Sequence, residues 1–213
     1  MSSRTSITFA AIGGVALALA VVQGCSSPAA TTTANVDTIY ATASLDGWVT
    51  KGGQAVTAGQ GPYTGEYYLD SAVTARQFYS FDMSLPITAH LNSAQVELYL
   101  ARVVNDPYVL LGNVLLDHVA YGGALTPSAY GLTALSSAPI TIATSKAIGT
   151  RLAIVTAWVQ DDIDNARTRT QFRLRFPKEF SDVPGMSNYV VFSDAELSCN
   201  CGGVVPRLIV SWQ

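Results

Sequence analysis

The chain has 213 residues, 49% of them apolar and 13% charged, and its 12 basic and 15 acidic side chains leave a formal net charge of −3. That length can bury one sizeable core. A mildly acidic balance, with no long run of either sign, argues against nucleic acid as a partner.

Residues 1–24 read as an export signal, with Arg4 supplying a positive start and Ile7 to Val22 an uncharged apolar run. That run is shorter than the roughly 20 apolar residues a membrane-spanning helix needs, and Gly13 and Gly14 interrupt it. It ends in Val22-Gln23-Gly24-Cys25, which resembles the lipobox of bacterial lipoproteins. The resemblance implies export, lipidation of Cys25 and a membrane anchor at the cell envelope, in the outer membrane where the organism has one. Residues 25–36, rich in Ser, Thr, Ala and Pro, have no apolar face to bury and form the expected flexible tether.

Residues 37–213 are expected to form a single domain whose dominant rhythm is period two. Tyr79, Phe81 and Met83 alternate with Phe78, Ser80 and Asp82; Ala94, Val96, Leu98 and Leu100 alternate with Gln95, Glu97 and Tyr99. The pattern returns at Phe172, Leu174 and Phe176 and at Leu208, Val210 and Trp212, each set reading as a strand with one buried face. Less regular β segments fall at residues 38–43, 48–51, 108–121, 140–144 and 189–192, and residues 52–65 and 122–139 read as loops. One short helix is expected from Thr156 to Ala166, capped by Thr156, docked by Trp158 and Ile163, with Asp161, Asp162 and Asp164 on its exposed side. The fold class is all-β, an antiparallel β-sandwich or jelly roll with one short helix.

Several blocks in order resemble the DNRLRE-type domain, a jelly-roll module of secreted and surface proteins related to carbohydrate-binding modules. They are Asp46-Gly47-Trp48-Val49, Arg76 to Met83, Asn92 to Leu100, Val155 to Val159, Phe172 to Phe176, Phe192-Ser193-Asp194-Ala195-Glu196 and Pro206 to Val210. The resemblance spans most of the chain beyond the tether and implies the jelly roll, whereas family members carry varied roles. Tyr79 stands where the family usually has an aliphatic residue, and the stretch Cys199 to Gly203 departs from the pattern.

For catalysis the chain offers little: it has no Gly-x-Ser-x-Gly elbow, and its histidines are His90 and His118. His118 follows Asp117 on an expected strand, so the two side chains face opposite ways and do not pair. A non-catalytic role is expected. Sugar recognition would use aromatic faces, with Trp48, Tyr67 and Tyr68 as the ligand-binding candidates and Tyr63, Tyr108, Tyr121 and Tyr130 as further exposed aromatics. Arg173 and Arg175, on the outward phase of their strand, are the expected donors to an anionic glycan. The partner is accordingly polysaccharide or, in an adhesive reading, an envelope protein. No cofactor is required, although a structural Ca²⁺ held by Asp46, Asp70 and Glu196 is a reading the acids allow. Cys199 and Cys201 read either as a strained local disulfide or as two loop thiols.

Overall fold

The computed structural model describes residues 34–57, 63–68, 71–86, 88–197 and 203–213. Cys25, Asp70, Cys199 and Cys201 lie outside them, as do residues 1–33. Among the described residues the strands are β1 (Asn35–Tyr40), β2 (Gly47–Thr50), β3 (Ala55–Val56), β4 (Thr64–Tyr68), β5 (Ala72–Asp82), β6 (Leu91–Val104), β7 (Val114–Val119), β8 (Ile140–Ala143), β9 (Gly149–Ile154), β10 (Arg169–Arg175), β11 (Asn188–Phe192) and β12 (Arg207–Trp212). The helices are α1 (Pro107–Leu110) and α2 (Thr156–Asp164), with a 3₁₀ turn at Pro127–Gly131.

Hydrogen bonding runs along one antiparallel path, β1-β12-β6-β11-β4-β5-β10-β7-β8, with β2 and β3 beside β5 and β9 beside β6. The long strands β5 and β6 explain how one path makes two layers. β6 pairs with β12 through its first half and with β11 near its end, while β5 pairs with β4 and then with β10. The short β11–β4 span thus turns the corner of a sandwich, with β1, β12, β6 and β9 in one layer and β2, β5, β10, β7 and β8 in the other. Between the layers lies one core, in which Tyr79 and Phe81 of β5 meet Val96, Leu98 and Leu100 of β6, Phe172 and Leu174 of β10 and Leu208 and Val210 of β12. The alternation in the sequence assigns this inward set correctly.

The outward sets of the two layers behave differently. Gln95, Glu97 and Tyr99 on β6 are half-buried, as an open sheet face requires. Phe78 and Ser80 on β5, by contrast, are fully buried. Residues expected to form the loop 122–139 supply Leu125 and Ala129, which with Val49, Phe78 and Val119 make a second, smaller core on that outer face, flanked by Tyr121, Tyr130 and Leu132. The Arg76 guanidinium lies 4.1 Å from the Tyr130 ring centre, and Glu179 accepts from the Tyr130 hydroxyl at 2.8 Å, fixing this cover in place.

The expected helix forms, with two corrections. Thr156 does not cap it: the cap residue is Val155, without a side-chain bond, while Thr156 Oγ1 accepts from the Ala94 N–H at 2.9 Å and ties the helix start to β6. Asp162 is not exposed, because it follows Val159 by three positions on the docked face and is 1% accessible. The segment expected to be β from residue 108 instead opens with α1, where Pro107 occupies the first turn and lacks only an N–H that a helix start leaves unused.

Candidate functional site

Four aromatic side chains gather where β4, β11 and β2 meet. Tyr63, the residue before β4, and Tyr67 within it are four positions apart with their rings in contact, and Tyr189 of β11 pairs with Gly65 between them. Gly65 has φ +121°, and a Cβ there would lie 2.6 Å from the Asn188 carbonyl oxygen and 3.0 Å from Tyr189 Cα. Only glycine lets the strands approach so closely, and the space a side chain would take is met by the Phe176 ring edge at 3.1 Å. The three ring centres form a nearly even triangle with sides of 5.4, 5.5 and 5.7 Å, tilted by 45° to 60° to one another. Trp48 extends the cluster on the Tyr63 side, its ring centre 4.9 Å from that of Tyr63.

All three tyrosines are half-buried. Burial, with Tyr67 and Tyr189 close by, pushes the Tyr63 hydroxyl up to about 12, so it is a neutral donor and acceptor at any physiological pH. The Arg102 guanidinium stands 5.8 Å from the Tyr189 ring centre. Its exposure comes from an irregularity in register: Val191 pairs with Arg102 and Phe192 with Leu100, leaving Ala101 as the extra residue. The phase of β6 therefore flips, and Arg102 turns outward instead of following Leu98 and Leu100 into the core.

The sequence candidates divide between this site and the interior. Tyr67 belongs to the triangle. Tyr68, its neighbour on the strand, points to the opposite face. Trp48 is not on an exposed loop but on β2, with 9% of its surface accessible, and packs against Tyr63. Tyr121 donates to the Leu45 carbonyl at 2.7 Å, and Tyr108 packs against Phe176; both serve the core.

The arginine expectation is corrected outright. Arg173 is 4% accessible beneath the 122–139 cover and uses its donors internally, through Nε and Nη2 to Asp117 Oδ2 (3.0 and 2.6 Å) and through Nη1 to the carbonyls of Leu132 (2.7 Å) and Tyr130 (3.2 Å). Arg175 also holds Asp117, through Nε at 2.7 Å and Nη2 at 3.2 Å. Burial alone would push the Asp117 carboxyl up, but the hydrogen bonds and charges of Arg175 and Arg173 outweigh it and hold it below its ordinary value. These groups form an ion triad in which Asp117 and Arg173 are interior and Arg175 is partly exposed.

His118 and Asp117 do face opposite ways. His118 Nε2 lies 3.0 Å from both oxygens of Asp162, and its ring stacks on Trp158 with centres 5.6 Å apart. His118, Asp161 and Asp162 are a group of ligand type whose atoms lie within 4.8 Å of one another. The place of a cation is nevertheless taken: Arg167 Nη1 binds Asp161 at 2.6 Å and Asp162 at 2.9 Å, and Thr170 donates to Asp162 at 2.6 Å.

Among the metal candidates, Asp46 is fully buried and Glu196 is exposed on the turn after β11. Asp46 Oδ2 accepts from the Ala195 N–H at 2.6 Å, which brings the two acids together. Burial pushes the Asp46 carboxyl up to about 8, the Ala195 bond opposing and the charges of Glu196 and Asp194 adding.

No family model matches this chain, and no curated protein matches it.

Proposed function

We propose that this protein is a non-catalytic, surface-anchored lipoprotein whose jelly-roll domain recognises extracellular or cell-wall polysaccharide at Tyr63, Tyr67 and Tyr189. The observation that carries this reading is the tyrosine triangle itself. Three half-buried rings offer apolar faces for pyranose C–H surfaces, and hydroxyls stand beside them for orientation. Arg102, at the edge, adds a charged fork for a sugar carboxylate or sulfate, the role that the interior position denies to Arg173. The export signal with its Cys25 lipobox and the ordered DNRLRE-like blocks support an envelope location and a carbohydrate-binding ancestry.

The test is a pull-down of the full-length protein on insoluble and immobilised polysaccharides, compared with Tyr67→Ala and Tyr189→Ala. Saturable binding to one polysaccharide class, weakened at least tenfold in both variants while their unfolding temperatures stay within a few degrees, supports the reading. A second reading, a structural or adhesive module for envelope proteins, draws on the outer face of the β1/β12/β6/β9 layer. There Val36 (66%), Tyr40 (57%), Leu152 (53%) and Ile154 (63%) are exposed on one sheet. Absence of glycan binding by a folded protein, with capture of an envelope protein lost on Leu152→Lys, favours that reading.

A further inference from the structure

We infer that the two free edges of the β1/β12/β6/β9 layer bind one another between copies of this chain, β9 of one copy adding antiparallel to β1 of the next. The fold itself shows which main-chain groups are left over. At the end of β9 the Val155 N–H donates to the Ala94 carbonyl at 2.9 Å. Bonded positions alternate in an antiparallel ladder, so Ala153, Arg151 and Gly149 spend their N–H and C=O groups on β6, while Ile154, Leu152 and Thr150 turn theirs to the open side. At the end of β1 the Ala41 N–H donates to the Pro206 carbonyl at 3.0 Å. By the same alternation Ile39, Asp37 and Asn35 bond β12, and Tyr40, Thr38 and Val36 turn outward along the sheet. Among the described residues β9 pairs only with β6, and β1 only with β12. Both edges also carry exposed apolar side chains, Val36 and Tyr40 on one, Ile148, Leu152 and Ile154 on the other. A strand edge without lysine, proline or a bulge is a template for another strand.

Direction, side-chain order and charge identify the occupant as a second copy. The β1–β12, β12–β6 and β6–β9 junctions are all antiparallel, so β1 and β9 run in opposite directions. A copy displaced along the sheet therefore brings its β1 antiparallel to β9. The added strand keeps its outward residues outward only where Val36, Thr38 and Tyr40 stand opposite residues of the Leu152 phase. In the register that sets Leu152 against the neighbour's Val36, Thr150 meets Thr38, Ile148 meets Tyr40, and Arg151 meets Asp37. Apolar side chains then match apolar ones, hydroxyl matches hydroxyl and the charges are opposite. Within its own chain the Arg151 guanidinium is held by the carbonyls of Ala147, Gly149 (3.4 Å) and Thr150 (3.1 Å), and Asp37 by the neutral indole N–H of Trp212 (2.7 Å). Turning Arg151 to the neighbour's Asp37 also releases the Thr150 carbonyl, which the new ladder uses. Two β9 edges paired with each other would set Arg151 against uncharged residues or its own copy and leave Asp37 unanswered. Because the two edges differ, the contact is heterologous and grows beyond two copies into a ring or filament. It is independent of the tyrosine site and of the carbohydrate reading.

Sedimentation velocity of the full-length chain, in an excess of detergent micelles and over a hundredfold range of concentration, tests the pairing. Species of two, three and more copies should appear in turn as concentration rises. Asp37→Arg and Arg151→Asp should each weaken assembly at least tenfold, with circular dichroism showing the fold retained. Combining the two changes in one chain should restore assembly, and so should mixing the two single variants, since each then offers the edge that the other lacks. Val36→Pro removes an N–H that β12 does not use, so it should block growth in a folded protein. A chain that stays monomeric throughout, or a folded combined variant that fails to recover assembly, overturns the inference. A species that stops at two copies and is indifferent to Asp37→Arg overturns it as well, and assigns the contact to β9 alone.

Discussion

Arg173→Ala is the sharpest test of the outer core, because it removes four hydrogen bonds at once: two to Asp117 and two to the carbonyls of Tyr130 and Leu132. Asp117, itself 1% accessible, keeps only Arg175. Breaking a buried pair from one side costs about 3–5 kcal/mol, and the surviving Arg175 contacts place the expected loss near the lower bound, about 3 kcal/mol. For a domain of this size that lowers the unfolding temperature by about 6–12 °C. Urea unfolding followed by tryptophan fluorescence gives the free energy directly. Arg175→Ala, whose side chain is 24% accessible, should cost about 1 kcal/mol. The loss should also depend on pH with a defined sign. Asp117 has a folded value below its unfolded one, so its stabilisation is complete above about pH 4 and drains away as pH falls through the folded value. The gap between wild type and Arg173→Ala should therefore narrow in acid. A loss below about 0.5 kcal/mol at pH 7 would refute the reasoning and return Arg173 to the surface as a candidate ligand donor.

Three further outcomes follow from the same geometry. His118→Ala removes the stack on Trp158 and a bond to a fully buried carboxylate, so it should destabilise by about 3 kcal/mol in urea unfolding, with no separate effect on polysaccharide binding. Gly65→Ala forces a methyl group to 2.6 Å from the Asn188 carbonyl at positive φ; it should cost more than about 1 kcal/mol and shift or abolish the tyrosine fluorescence that reports the Tyr63, Tyr67 and Tyr189 triangle. Asp46 titrates near 8 when folded and near 4 when unfolded, so the folded state binds the extra proton in between. Stability should consequently fall as pH rises from about 4 to about 8 and level off above, measured by urea unfolding at several pH values, with Asp46→Asn removing the slope.

The sandwich was legible because alternating residues on β5, β6, β10 and β12 all send their large apolar side chains to one face. The second core was not, since Leu125, Ala129 and Leu132 sit among Gly, Ser and Pro in a stretch without periodicity, and their partner Phe78 looked like an outward residue. That cover explains the misreading of Arg173: alternation reports which face a side chain leaves from and is silent on whether another segment folds over that face. Tyr67 was legible as a candidate, while Tyr189 lay within an apolar strand and gave no signal beyond its opposite phase to Val190 and Phe192. Arg102 was hidden for a different reason. Its position continues the core phase of Leu98 and Leu100, and only the shifted register opposite Val191 and Phe192 turns it out. Asp46 and Glu196 could be named as acids from the sequence, yet their meeting depends on the Asp46 bond to the Ala195 N–H, which no spacing along the chain announces.

On the proposed function, the tyrosine triangle is where this domain meets carbohydrate. Chemical-shift mapping of the isotopically labelled protein during titration with soluble polysaccharide fragments tests it most directly. Saturable shifts should be confined to Tyr63, Tyr67, Tyr189 and Arg102, with Trp48 responding through its contact with Tyr63. Shifts centred instead on Val36, Tyr40, Leu152 and Ile154, or none with any fragment that the pull-down retains, would contradict it.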